Sequence, residues 1–377
     1  MYYVKNGNIP EYRHTYDNVD SIYREELFGL NAFDGPYSLI YHEYDPTEFY
    51  DYEFIKYDQY KYDDEIKHRH IKTSLIPRSG NIFSRNILFE NNTLRIGIIK
   101  PEDTEPSEYF RNGFASEVFY IHNGSGRIES VFGDLDFRKH DYIYIPKGTT
   151  YKYHCSEDTY ILSIESSENI DIPKRYLNRY GQIKEGSPYY TRNFRVPVFK
   201  KYDDENDYTI NIRYKDGYAR LKRKHKVFDA AGWDGYLYPY AINVMDMAPI
   251  VGKLHMPPPV HETFEAETFM IGTFLPRPFD FHERSIPISY FHNNIDSDEF
   301  LFYSSGNFMS RKGIEEGSVT LHVHGIIHGP QPGVLEKSIG ARSTDEIGIM
   351  VETYKSLKMP ENMNIFEDKN YNLSWKY

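Results

Sequence analysis

A mainly β fold made of two sandwich- or barrel-type units is what this sequence predicts, with few and short helices, and three observations carry the prediction. Aromatic residues make up 16% of the chain, and many alternate with polar or small ones, as in DYIYIP and YLYPYAINV; a period of two marks a strand rather than a helix. Turn signals rich in Gly, Asn and Asp interrupt the chain at close spacing from about residue 81, as they do in sandwiches and barrels. The third observation is an internal repeat. Glu117 is followed by six residues and Gly124, Glu299 by six residues and Gly306, and each half then runs through a turn into a strand and a Gly-centred loop.

Taken in order, the first 80 or so residues mix acidic, tyrosine-rich turns (EYDPTEFYDYEF, KYDQYKYDDE) with a basic patch, KHRHIK, at 67–72. Little chemistry is legible there. The segments NILF, TLRIGII, SEVFYIHNGSGRIES, DYIYIPKGTTYKYH and YILSIES then predict a first β unit over about 81–165. A polar, tyrosine-containing stretch at roughly 166–225 reads as a crossing between units, so the expected division is an N-terminal region at 1–200 and a second, catalytic domain at 201–377. Strands resume from GWDGYLYPYAINV to VTLHVHGIIHGP, and DEIGIMVETYKSLK reads as a short helix before a polar tail. Between His255 and His261 the run PPP at 257–259 predicts an extended rather than helical segment, because proline restricts both itself and the residue before it.

Composition excludes several function classes. With 377 residues the chain has room for two or three domains. Lys and Arg total 44 against 56 Asp and Glu, a net charge of -12, which disfavours sequence-independent nucleic-acid binding and anionic membranes as partners. Cys155 is the one cysteine, so no intramolecular disulfide and no thiolate metal cluster can form, which fits a reducing, cytoplasmic setting. No basic-then-apolar leader and no apolar run of about 18 residues is present, so neither export nor a membrane span is expected.

Chemistry concentrates in HNNIDSDEFLFYSSGNF, starting at His292, and in HVHGIIHGP, starting at His322. Their spacing resembles the cupin superfamily: His292-x-Asn294-x4-Glu299-x6-Gly306, then Val323-x-Gly325-x2-His328. Asn294 stands where a second His is usual, and Val323 where Pro is usual. Two imidazoles and one carboxylate on one face of Fe(II) leave about three positions open for substrate and dioxygen, although Mn(II), Ni(II) or Zn(II) would suit the same donors. In the first half Asn112 or Phe110 and Tyr151 occupy the places of the histidines. That unit is therefore expected to be degenerate and metal-free, with His122 and His154 as ordinary polar residues.

A wider stretch, from FDAAGWDGYLYPYAIN through HMPPPVHETFE, FLPRPFDF, HNNIDSDEF and FMSRKGIEEGS to LHVHGIIHGPQPG, is similar to the homogentisate 1,2-dioxygenases. That resemblance implies Fe(II) held by His292, Glu299 and His328, with Tyr290, Asn294, His322 and His328 against the substrate. It implies conversion of homogentisate and O2 to maleylacetoacetate in tyrosine and phenylalanine breakdown, by a homo-oligomer. Family members with longer chains carry an acid–base His after the Gly-Trp or Ala-Trp pair, whereas this chain has Gly232-Trp233-Asp234-Gly235. Proton transfer would then fall to Asp234, His255, His261 or His322. Asp296 and Asp298 read either as partners that orient a ligating imidazole or as turn residues, His324 as structural or exposed, and Arg277 and Arg311 as candidate carboxylate clamps. Alternative functions are a related cupin dioxygenase for another dihydroxylated aromatic acid such as gentisate, or a bicupin that binds a metal or ligand without turnover.

Overall fold

Period-two alternation decides which way each strand's side chains point, and in the central sheet it divides them between two cores. A computed structural model describes residues 2–16, 18, 19, 22–203 and 208–376. Along strand Ser116–Asn123, Phe119 and Ile121 face one hydrophobic cluster while Val118 and Tyr120 face another. The sheet containing this strand has seven strands, in the order Phe194–Arg195, Tyr240–Asn243, Asp141–Ile145, Ser116–Asn123, Tyr160–Ser166, Leu94–Ile99 and Asn86–Glu90. Strands covered on both faces are buried along their whole length, as Leu94–Ile99, Asp141–Ile145 and Tyr160–Ser166 are.

One cluster joins this sheet to a second seven-stranded sheet through Phe110, Ile128, Leu135 and Tyr153, which completes the first unit. The other joins it to the six-stranded sheet of the second unit, ordered Glu262–Glu265, Phe269–Phe274, Ile347–Thr353, Asp298–Ser305, Ser318–His322 and Arg69–Lys72. Phe300, Phe302, Ile349, Val351 and Val319 fill that interface, each worth roughly 1.5–3 kcal/mol of burial. On strand Asp298–Ser305 the odd-numbered Glu299, Leu301 and Tyr303 therefore point the other way, into a cavity. The repeat's glycines behave alike: Gly124 and Gly306 have φ of +91° and +95°, and a Cβ at Gly306 would meet the Asp345 carbonyl at 2.4 Å.

Mainly β architecture in two packed β units is thus as expected, and among the described residues the α-helix is the five-residue Val334–Ser338. Three expectations need correction. The strands do not divide at residue 200: Tyr208–Arg213 and Tyr240–Asn243 pair with Tyr109–Asn112 and Asp141–Ile145 of the first unit, and Arg69–Lys72 completes the second. Their polar flanks conceal the pairing in the sequence. The stretch expected as a helix after residue 344 contains strand Ile347–Thr353, which lies between Phe269–Phe274 and Asp298–Ser305; its buried run of Ile, Met and Val is that of a central strand. Pro258–His261 forms a 3-10 turn rather than an extended segment, since proline at the start of a turn brings a fitting φ and loses no needed N–H. No helix among the described residues is long and apolar enough to cross a membrane.

Candidate metal centre

Two histidines and a glutamate converge because one strand and one loop bridge fix them. Glu299 lies one residue into strand Asp298–Ser305, with its side chain on the cavity face. His292 and His328 sit on loops, but their backbones form an isolated antiparallel bridge, each N–H donating to the other's carbonyl at 2.9 Å. One ligand atom from each of His292, Glu299 and His328 lies within 4.8 Å of the others. His292 Nδ1 donates to the Tyr290 carbonyl at 3.2 Å and His328 Nδ1 to the Ile326 carbonyl at 3.1 Å. Both Nε2 atoms then carry the lone pair. They approach Glu299 at 3.4 and 3.8 Å, and His328 Nε2 is buried with no hydrogen-bond partner. Three electron-pair donors aimed at one point repel each other unless a cation lies between them, so this donor set fits a divalent metal ion, with the imidazoles held by the outer hydrogen bonds usual at such sites.

The electrostatics agree. Burial works to raise the pKa of Glu299, but the three surrounding imidazoles of His292, His322 and His328 prevail and hold it well below the usual carboxylate range. The same carboxylate raises His292. On the neighbouring strand Glu352 lies opposite Glu299, and burial together with that negative charge pushes it up to about 7.

His322 corrects an expectation. It lies opposite Glu299 across the strand pair, so both side chains share a face; its Nδ1 is 2.7 Å from Glu299 Oε1 and its Nε2 is 2.9 Å from the Tyr371 hydroxyl. With both nitrogens engaged and no solvent exposure, it braces the carboxylate from behind and does not line the cavity. Asp234 is a second correction. It belongs to a four-stranded sheet beside the first unit, where its Oδ2 accepts from the Tyr3 hydroxyl at 2.8 Å, and it does not line the cavity.

The cavity beside Glu299 measures about 140 Å³. His255 and His261 both line it, as do Arg277 and Arg311. His255 Nε2 is buried without a partner while its Nδ1 lies 3.9 Å from Asp280; burial lowers its pKa, and pushes that of His261 down to about 3. Arg311 donates to the Ser310 and Gly329 carbonyls and keeps a buried Nε–H without a partner. Tyr290 and Asn294 frame the first histidine rather than line the cavity: Tyr290 is half exposed with its ring 4.9 Å from that of His255, and the Asn294 carbonyl accepts from Gly325. Asp298 is a backbone clamp, accepting from the N–H groups of His324 and Leu357 at 3.0 and 2.8 Å, and His324 is partly exposed against it.

Sequence reasoning missed the rear wall. His68, from the KHRHIK patch, sits with its ring 5.3 Å from His322 and 5.5 Å from His328, its Nδ1 accepting from the Val323 N–H. Trp375 stacks edge-on to His68 and donates to the Gly329 carbonyl, and Tyr371 caps His322. His68 lies 255 positions before Val323, and the pairing of Arg69–Lys72 with Ser318–His322 brings it to the site.

Comparisons with known proteins agree with this picture. The family described as Homogentisate 1,2-dioxygenase N-terminal matches residues 94–244. A protein of Saccharolobus solfataricus, named "Putative dioxygenase SSO1533", is 42% identical over 100% of this chain and 99% of its own. The homogentisate 1,2-dioxygenase of Sinorhizobium medicae is 22% identical over 61% of this chain and 52% of its own length, and that of Rhizobium etli 23% over 62% and 53%; the chain spans about half the length of these two relatives. Among solved structures, a cupin 2 conserved barrel domain protein from Leptotrichia buccalis covers 78% of this chain and 99% of its own at 9% identity and a TM-score of 0.33. By its relative of 42% identity over the whole chain and its matched N-terminal segment, the chain belongs to a homogentisate-dioxygenase-like family.

Proposed function

We propose that this protein is an Fe(II)-dependent dioxygenase that opens the ring of homogentisate to give maleylacetoacetate. The observation that carries the reading is the convergence of His292, Glu299 and His328 on one point at the edge of a cavity. Two imidazoles and one carboxylate leave part of an ion's coordination open, and the bound Fe(II) would supply the one-electron chemistry by which dioxygen reacts.

The chain's own residues do the rest. Arg311, with Arg277 across the same cavity, anchors the substrate carboxylate; a guanidinium fork matches that group. His255 is the proton acceptor: it lines the cavity with its Nε2 free of any partner, and burial lowers its pKa and so favours the neutral ring that can take a phenolic proton. His261 contributes a neutral polar wall. Val251, Met256, Phe274, Phe279, Ile288 and Phe308 enclose the ring and keep water away.

The test is anaerobic loading with Fe(II), followed by oxygen uptake and absorbance of the ring-opened product with homogentisate, for wild type and Glu299→Ala. Stoichiometric uptake that disappears in the variant is expected. Iron bound by the wild type with no uptake on homogentisate, but uptake on gentisate or another dihydroxylated acid, would replace the substrate and keep the chemistry. Iron bound with no uptake on any of them would leave a binding protein.

A further inference from the structure

The first unit keeps the place of the metal centre but fills it differently. Glu117 pairs across its sheet with Glu165 as Glu299 does with Glu352. Here the two carboxylates receive a guanidinium: Arg85 donates to Glu117 Oε1 at 2.5 Å and also to Glu165. Asn112 donates to the same two carboxylates at 3.0 and 2.8 Å, Tyr151 to Glu117 at 3.0 Å, and Arg213 to Glu165 at 3.2 Å. Every donor that a metal would need is already engaged.

Outside this cluster opens a cleft of about 750 Å³, with Arg85, Arg95 and Arg213 on its lining and Glu117 and Glu165 absent from it. A volume of that size is usual for small-molecule sites. Arg213 is only 6% exposed, yet its Nε–H is buried with no partner in the protein. Arg95 is held by Glu90 and the Lys215 carbonyl. Lys215 and Lys358 stand on the lining, and neither has a carboxylate within 4 Å among the described residues. Tyr57, Tyr60, Tyr62 and Phe83 supply flat apolar walls. The lining also carries Asp58, Glu90 and Asp216, but six cations stand against these three carboxylates, an excess unexpected in a chain of net charge -12, and an excess of one sign in a cleft concentrates the opposite one.

We propose that this cleft is a second ligand site, which binds a small aromatic carboxylic acid without a metal, its carboxylate on Arg213 with the Lys215 and Lys358 ammonium groups and its ring against the tyrosines. A planar carboxylate matches the guanidinium fork. Because Glu117 and Glu165 already offset part of the arginine charge, the floor suits a monoanion better than a phosphate dianion. The site is independent of the chemistry proposed for the second unit.

Calorimetric titration of the full-length, metal-free Glu299→Ala protein with phenylacetate, and separately with inorganic phosphate, tests it. One equivalent of phenylacetate is expected, with affinity weakened about tenfold or more by Arg213→Gln and several-fold by the exposed-site variant Lys358→Ala, which leaves the core untouched. The proposal is overturned if phenylacetate does not bind, or if phosphate binds and phenylacetate does not. It is equally overturned if binding survives both variants and is lost in Arg311→Gln, which would place the acid in the second unit.

Discussion

Three imidazoles surround Glu299, and two of them serve opposite purposes: His328 presents a free nitrogen, whereas His322 is fully engaged, its Nδ1 on Glu299 and its Nε2 on Tyr371. Tyr371→Phe removes the partner of His322 Nε2 and loosens the ring that braces the carboxylate. Metal affinity, read by competition with a chelator, should fall roughly tenfold, and activity should return when iron is in excess. His255→Gln should lower kcat by about 10²–10⁴ while iron content per chain stays at the wild-type value. Because burial lowers the pKa of His255, the wild-type rate should be flat through neutral pH and fall only on the acid side of the ordinary histidine range. At this scale the sequence was most informative about the candidate ligands, since His292, Glu299 and His328 lie within one repeat of fixed spacing and the fold brings them together. It misled on His322, because six-residue spacing from His328 says nothing of which side of the carboxylate the ring occupies. It was silent on His68 and Tyr371, whose relation to the site exists only after Arg69–Lys72 joins the sheet.

Individual strands show what alternation can and cannot reveal. Phe300 and Phe302 against Glu299 and Leu301 is a readable pattern, and it places the carboxylate on the cavity face. Ile347–Thr353 is buried on nearly every residue, so its run of apolar side chains has no period to read and its place in the sheet stays hidden. In the first unit Asn112 and Tyr151 stand where the resemblance places histidines, but the cation beside Glu117, Arg85, comes from 32 residues before it and carries no local signature. Its weight is testable: Arg85→Met leaves two carboxylates buried with one guanidinium fewer, and the denaturant midpoint should drop by the equivalent of about 3–5 kcal/mol.

The molecule as a whole is tied together by pairings distant in sequence, and one of them responds to pH. His42 lies between Asp229 at 2.6 Å and Glu26 at 2.8 Å; burial works to lower its pKa, but hydrogen bonds to those carboxylates prevail and push it up to about 9. A histidine raised in the folded state contributes its full stability below about pH 6.5, the unfolded value, and loses it as pH climbs through about 9. Comparison of wild type with His42→Gln should therefore show a gap in unfolding free energy on the order of 3 kcal/mol at pH 6 that closes towards pH 9. The central seven-stranded sheet has a different kind of consequence. A duplicated half that stops binding metal would ordinarily be free to decay or be deleted. Here one face of that half's sheet is the floor beneath the other half's ligand strand, and the Tyr120 hydroxyl reaches across to Ser304 at 2.7 Å. Substitutions in the first unit's sheet therefore act on the second unit's candidate centre as well, and drift in the first unit is confined to those that the second can bear.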